Sequence, residues 1–150
     1  MRRYRWFSSF VLLVGLGACD LAVFTAGSDE TVVLRSGTSF GMCVGYCVTE
    51  LVVHEADVSL TRTSRDPAKY PAATQSLRLT ASELEALRSA IASSDLRSSR
   101  SVYGCPDCAD GGAEWVEVDG HRVMFEYHAD IEAIRPLLHE VRKLRTRFDP

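Results

Sequence analysis

Glycine and proline are both scarce in this chain. Its 150 residues include 10 glycines and 5 prolines. This composition excludes collagen, and 46% hydrophobic residues exclude low-complexity disorder. Neither sign of charge dominates, because 17 Lys+Arg residues stand against 20 Asp+Glu residues, so a polybasic nucleic-acid-binding arm is also excluded. The chain has one long apolar run, whereas a multi-span membrane protein needs several. Its length suits one globular domain.

The N-terminal segment has the three parts of an export signal. Three of the first five residues are arginine, residues 6–16 form an apolar run, and small residues follow at positions 17 and 18. A permanent membrane-spanning helix needs roughly 20 apolar residues, so this run is too short, and its small-residue end fits cleavage. We therefore predict that residues 1–18 are a signal peptide.

The end of this segment, Leu16-Gly17-Ala18-Cys19, resembles the lipobox of bacterial lipoproteins. The resemblance implies that the signal is cut before Cys19 and that this cysteine carries the lipid, with palmitate as an acyl group. Two acyl chains anchor a protein stably, whereas one gives only marginal membrane binding. An ordinary secretory signal is the alternative. The implied location is the bacterial cell envelope; the choice of inner or outer membrane stays open, although Asp20 resembles an inner-membrane retention signal.

Cleavage before Cys19 changes the charge of the protein. It removes three of the 17 Lys+Arg residues and none of the 20 Asp+Glu residues, which leaves a net charge near −6. An acidic domain is held away from an anionic membrane by repulsion, and nucleic acid is not an expected partner. We expect a tether over residues 19–30 and a single α+β domain over residues 31–150.

The first half of this domain is predicted to be mostly β-structure. Residues 31–35, 48–54 and 58–63 are rich in β-branched side chains and predict three strands, with a hairpin connection over residues 54–57. Residues 64–76 include two prolines and predict an exposed loop.

The second half is predicted to contain two helices and a hairpin. Thr80 and Glu83 match a capping box, and apolar residues follow at helical spacing to about Ser94. Asp119-Gly120, between strand-like residues 114–118 and 122–127, predicts a type I′ turn.

The last helix is predicted from the helical spacing of the apolar residues between positions 134 and 148. Regular helix should start close to Pro136, which has no N–H to donate. The basic residues near its C-terminal end are predicted to form a solvated face: Arg142, Lys143, Arg145 and Arg147. The element order β-β-β-α-β-β-α favours a small antiparallel sheet with two helices packed on one face.

Four cysteines remain after lipidation of Cys19, and they form two closely spaced pairs: Cys43 with Cys47, and Cys105 with Cys108. Residues 39–47 together with residues 105–112 resemble a family of uncharacterised bacterial exported domains, a similarity that covers about residues 31–147 and implies no activity. Outside the cytosol an even number of cysteines favours two disulfides. Four cysteines allow three pairings, and the sequence leaves the pairing open.

Other chemistry for these cysteines and for nearby motifs is less favoured. The Cys105-x-x-Cys108 motif has the form of a redox centre, but a strand is predicted after it where thioredoxin-like enzymes have a helix. A zinc site of four thiolates would need an unusual spacing between Cys43 and Cys47. Residues 37–41 read G-x-S-x-G without the context of a nucleophile elbow.

The histidines are scattered and lack metal-ligand spacing: His54, His121, His128 and His139. We therefore expect no catalytic residue, no metal and no cofactor. The favoured function is a non-catalytic interaction or structural domain of the envelope, anchored to the membrane through the lipid on Cys19. Its loops at residues 64–76 and 95–112 would meet an envelope protein partner. The alternative is an exported thiol-redox or metal-binding protein that uses Cys43/Cys47 and Cys105/Cys108.

Overall fold

The computed structural model describes residues 33–149; the predicted signal peptide, Cys19 and the predicted tether lie outside the described residues. The strands are β1 Val33–Ser39, β2 Tyr46–His54, β3 Asp57–Ser64, β4 Ala73–Arg78, β5 Val102–Tyr103, β6 Ala113–Val118 and β7 His121–Glu126. The helices are α1 Ala81–Ala92 and α2 Arg135–Thr146. Within this part of the chain, no helix is both long and apolar enough to cross a membrane.

All of these strands join one sheet, in the order β4-β3-β2-β1-β6-β7-β5. Neighbouring strands are antiparallel except β5, which runs parallel to β7. The predicted α+β class is therefore confirmed. The predicted strand count and the order β-β-β-α-β-β-α are wrong, because the sheet has two further strands, β4 and β5, and is mixed.

Strand β4 lies where an exposed loop was predicted over residues 64–76. It is an edge strand, and Leu77 is its one large apolar side chain packed against the core. Pairing with β3 in continuous register from Asp57↔Arg78 to Arg62↔Ala73 holds the strand in place. Main-chain hydrogen bonds to a neighbouring strand leave little trace in a hydrophobic pattern, which is why this strand was missed.

The two predicted hairpins are present. Strands β2 and β3 are joined across Glu55 and Ala56, and β6 and β7 are joined across Asp119 and Gly120. Asp119 has φ 51° and Gly120 has φ 78°, the two positive values that a type I′ turn requires. The Asp-Gly pair therefore forms the predicted turn.

The predicted helix starts also hold. The Thr80 side chain accepts the Glu83 N–H, and the Glu83 carboxylate accepts the Thr80 N–H, which completes the capping box of α1. Helix α2 has Pro136 in its first turn and is preceded by a short 3₁₀ turn over Glu132–Ile134. The end of α2 meets the start of α1 through an ion pair between Arg147 and Glu83, at 2.8 Å, so the helices run antiparallel.

The core lies between one face of the sheet and the two helices. Two transverse rows of side chains on this face carry most of the apolar contacts: Val58, Val53, Leu34 and Val118 in one row, and Leu60, Leu51, Val116 and Val123 in the next. Leu87 of α1 and Leu138 of α2 are each 1% exposed and pack in the same cluster. The other face of the sheet is mixed: it carries charged side chains such as Arg35 and Glu117 together with apolar ones, among them Val52, Trp115 and Met124.

Candidate functional site

The two ends of the sheet differ in chemistry. The turn end carries the β2–β3 and β6–β7 turns, and the apolar rows lie next to it. The cysteine end carries the connection from β1 to β2, where Cys43 pairs with Cys47 at the start of β2, and the connection from β5 to β6, which contains Cys105 and Cys108. Next to the cysteine end, one further row of core-facing positions is polar across four adjacent strands: Arg62, Thr49, Thr38 and Glu114.

Glu114 is the centre of this polar row. Its side chain is 1% exposed, and it receives Arg145 Nη1 at 2.6 Å and Arg142 Nη2 at 2.8 Å. Arg142 also donates to the carbonyl of Ala129 at 2.8 Å, and Arg145 donates to the hydroxyl of Ser36. One carboxylate thus receives two guanidinium groups from successive turns of α2. We call these three side chains, Glu114, Arg142 and Arg145, the buried triad.

The electrostatics of the buried triad leave a positive excess. Burial raises the pKa of the Glu114 carboxyl, but hydrogen bonds and charges from Arg142 and Arg145 outweigh burial and hold that pKa below its usual range. Burial lowers the pKa of the Arg145 guanidinium, against the opposing effect of Glu114. An arginine remains protonated at neutral pH even so. The triad therefore holds two positive charges against one negative charge.

A cavity of about 210 Å³ opens beside the buried triad, between the polar row and the end of α2. Its lining includes Thr38 and Thr49, whose hydroxyls lie 2.7 Å apart, together with Leu60, Tyr127 and His128. Arg62 also lines it and donates to the carbonyl of Phe148 at 2.9 Å. The cavity can take a small polar molecule, because it offers charges and hydroxyls beside apolar surface.

The four cysteines of the domain form two local pairs at disulfide distance. Cys43 pairs with Cys47 and Cys105 with Cys108, each with Cα atoms 5.5 Å apart. Of the three pairings that the sequence allowed, the structure contains the local one. The two pairs lie on adjacent loops, because Asp107 accepts the N–H of Gly41 at 3.0 Å.

The other sequence candidates are not brought together. Ser39 of the G-x-S-x-G segment is the last residue of β1 and pairs with Val48 and Ala113, so no strand-to-helix elbow exists there. Of the histidines, His128 lines the cavity, with its ring 4.0 Å from the Tyr127 ring. Among residues 33–149, no three His, Cys, Asp or Glu side chains are grouped to hold a metal ion. Cys19 lies outside the described residues.

The prediction that the basic residues at the end of α2 form a solvated face is wrong for two of the four. Arg142 and Arg145 point into the protein toward Glu114, whereas Lys143 and Arg147 lie outside and pair with Glu140 and Glu83. The sequence held a signal for this site. Glu114 alternates in phase with buried Val116 and Val118, so a charge stands where an apolar residue is expected.

Comparison with models of known protein families finds no match, and comparison with curated proteins finds no similar sequence.

Proposed function

We propose that this protein is a lipid-anchored envelope protein with a non-catalytic interaction domain that binds a protein partner through its cysteine end. Lipidation at Cys19, after removal of residues 1–18, follows from the resemblance of residues 16–19 to a lipobox. One observation supports the interaction role above others. Val44 is 90% exposed within the loop that the Cys43 and Cys47 pair closes, and Met42, next to Cys43, is 77% exposed.

We call Met42 and Val44 the tip. They favour a binding role because their large apolar side chains are held in water. Burial of each would contribute about 1.5–3 kcal/mol. A closed loop loses less conformational entropy on binding than an open one, so more of this energy remains as affinity. The same end of the sheet exposes the Asp107 and Asp110 side chains beside Gly41.

These carboxylates favour one kind of partner. An anionic membrane surface would repel Asp107 and Asp110, in addition to the net acidic charge predicted for the cleaved chain. A protein surface with an apolar pocket and a basic rim is complementary to the tip in both shape and charge. We therefore assign the tip to an envelope protein with such a surface.

A non-catalytic role is also in keeping with the state of Glu114. A general base works best with a pKa near the operating pH. The pKa of Glu114 is instead lowered, and both of its oxygens already accept hydrogen bonds from arginines. Such a carboxylate is a poor proton acceptor and a good structural counter-ion.

The anchor is tested by detergent partition of Cys19→Ser. The wild type should enter the detergent phase and carry an acylated N-terminal cysteine by mass spectrometry, and Cys19→Ser should stay in the aqueous phase. Cys108→Ser is the matched control and should partition as the wild type does. A Cys19→Ser protein that remains with membranes after a salt wash would contradict the lipoprotein assignment.

The tip is tested by a photo-crosslinking residue at position 44 in cells. We expect a defined adduct with one envelope protein, and we expect Met42→Lys to reduce it at least tenfold. Val102→Lys is the matched control, because Val102 is also exposed, at 49%, but lies in edge strand β5. Crosslinks to lipid, or an equal effect of the two lysine variants, would contradict the proposed surface.

The alternative of a thiol-redox protein draws on one observation. Cys105 and Cys108 are both exposed, whereas Cys47 is 1% exposed. In this role the Cys105 and Cys108 thiols would pass two electrons and two protons to a substrate disulfide, which would become a dithiol. Reduction of the Cys105 and Cys108 pair at a potential well above about −300 mV, with Cys43 and Cys47 still oxidised, would favour this alternative.

A further inference from the structure

The cavity beside the buried triad is separate from the tip, because neither Met42 nor Val44 lines it. Its polar groups come from four adjacent strands and from α2, so their positions are set by the sheet register and by helix packing. Groups held on strands and helices keep their geometry better than groups on loops. The cavity is therefore independent of the lipid anchor and of the proposed protein partner.

The charges that line the cavity do not balance. Three guanidinium groups, from Arg62, Arg142 and Arg145, stand against two carboxylates, from Glu114 and Asp149. Asp149 is largely exposed and pairs with Arg62 at 3.3 Å. The uncompensated positive charge is therefore at the buried triad. Desolvated charge of this kind is costly unless an opposite charge approaches it.

One donor at the triad also lacks an acceptor. The Nε of Arg145 is buried and has no hydrogen-bond partner among residues 33–149, although both terminal nitrogens of Arg145 are engaged. A buried donor without an acceptor costs about 1–3 kcal/mol. This donor is closed to solvent, so it adds to the cost of the excess positive charge, which a negatively charged ligand beside Arg142 and Arg145 would offset.

We infer that this cavity binds a small organic monocarboxylate, with its carboxylate at Arg145 and Arg142 and its short hydrocarbon part against Leu60 and Tyr127. Arginine binds carboxylates with geometric specificity, because its donors form a planar fork. A ligand with one negative charge would neutralise the single excess positive charge of the cavity lining. Inorganic phosphate carries more than one negative charge on average at neutral pH, so it would leave a negative excess. The volume of about 210 Å³ lies below the usual range for drug-sized ligands and limits the ligand to a few carbons.

The test is an NMR titration of the ¹⁵N-labelled full chain in detergent, followed at the Arg145 Nε–Hε resonance. Sodium butyrate is the probe, butyramide is its neutral match, and sodium phosphate and sodium chloride control for other anions at equal ionic strength. We expect butyrate to shift the Arg145 resonance and saturate, while the other three leave it in place. No shift with butyrate up to about 50 mM would overturn the inference, and so would an equal shift with butyramide or with phosphate.

Matched variants locate the binding. Arg145→Lys keeps the charge but removes the planar guanidinium that lines the cavity, so we expect butyrate affinity, followed at the Tyr127 amide, to fall at least tenfold. Arg147→Lys makes the same change two residues along α2, outside the cavity, and should change affinity less than twofold. If Arg145→Lys does not fold, Thr49→Val serves instead, with Thr61→Val on the other face of the sheet as its control. Equal butyrate affinities for Arg145→Lys and Arg147→Lys would overturn the inference. For the second pair, equal affinities for Thr49→Val and Thr61→Val would do the same.

Discussion

The two ends of the sheet lie under the same helix pair, but one end is apolar inside and the other is polar. Near the turn end, Leu34, Val53 and Val58 are each at most 1% exposed and pack against the helices. Near the cysteine end, the same face carries Thr38, Glu114 and a cavity. Apolar burial at one end stabilises the fold, which leaves the other end free to hold charges that contribute little net stability.

The largest effect should come from a charge placed in the apolar half. Leu138→Asp buries an unpaired carboxylate where the native side chain is 1% exposed. The cost of several kcal/mol is large against a total stability of about 5–15 kcal/mol, so we expect an unfolded domain by circular dichroism. Leu87→Asp in α1 should behave the same way. A normal thermal melt for either variant would mean that its helix does not pack as described.

The second effect concerns the polar half. Glu114→Gln leaves two guanidinium groups at the triad without their counter-charge, and we expect a loss of about 3–5 kcal/mol in urea unfolding. Glu117→Gln is the matched control on the same strand and opposite face, where ion pairs with Arg122 and Arg35 contribute about 0–1 kcal/mol. A similar loss for both variants would remove the distinction between the two faces.

Replacement of the whole triad sharpens the same comparison. A variant with Glu114→Leu, Arg142→Leu and Arg145→Met removes all of its charges together, and such exchanges are often neutral or stabilising. We expect stability within about 1 kcal/mol of the wild type or above it, together with loss of the butyrate response. A large loss of stability would mean that the triad is needed for the fold itself.

A smaller effect should follow reduction of the cysteine end. Each local pair closes only a few residues, so the loss of one disulfide should cost about 2 kcal/mol. The apolar half should keep the domain folded, and melting of the reduced protein should remain cooperative. Complete unfolding on reduction would mean that the cysteine end supports the whole fold.

The last effect is the acid dependence of the triad. The folded-state pKa of Glu114 lies below its unfolded value of about 4.3, so its contribution is complete above that pH and is lost as pH falls through the folded pKa. Glu83 contributes in the same direction, because hydrogen bonds from the Thr80 N–H and hydroxyl lower its pKa. Urea unfolding of the wild type and Glu114→Gln between about pH 5 and pH 2 should converge. Parallel curves would contradict this titration.

Local signals in the sequence predicted local structure well. The capping box at Thr80 and Glu83, the turn at Asp119 and Gly120 and the start near Pro136 each depend on chemistry within a few residues. Strands β4 and β5 were missed because backbone pairing with a neighbour defines them. The buried triad was missed as a site because Glu114 and Arg145 are 31 residues apart.

By itself, the sequence determined the α+β class, both helix starts and the in-phase positions of the core residues. These properties follow from periodicity, capping and turn chemistry, which act over one or two turns of chain. Only the tertiary structure decided the local pairing of the four cysteines, the polar row beneath α2 and the inward direction of Arg142 and Arg145. Contacts between distant segments set these features, because a side chain at a given phase becomes buried, paired or exposed according to what the fold places opposite it.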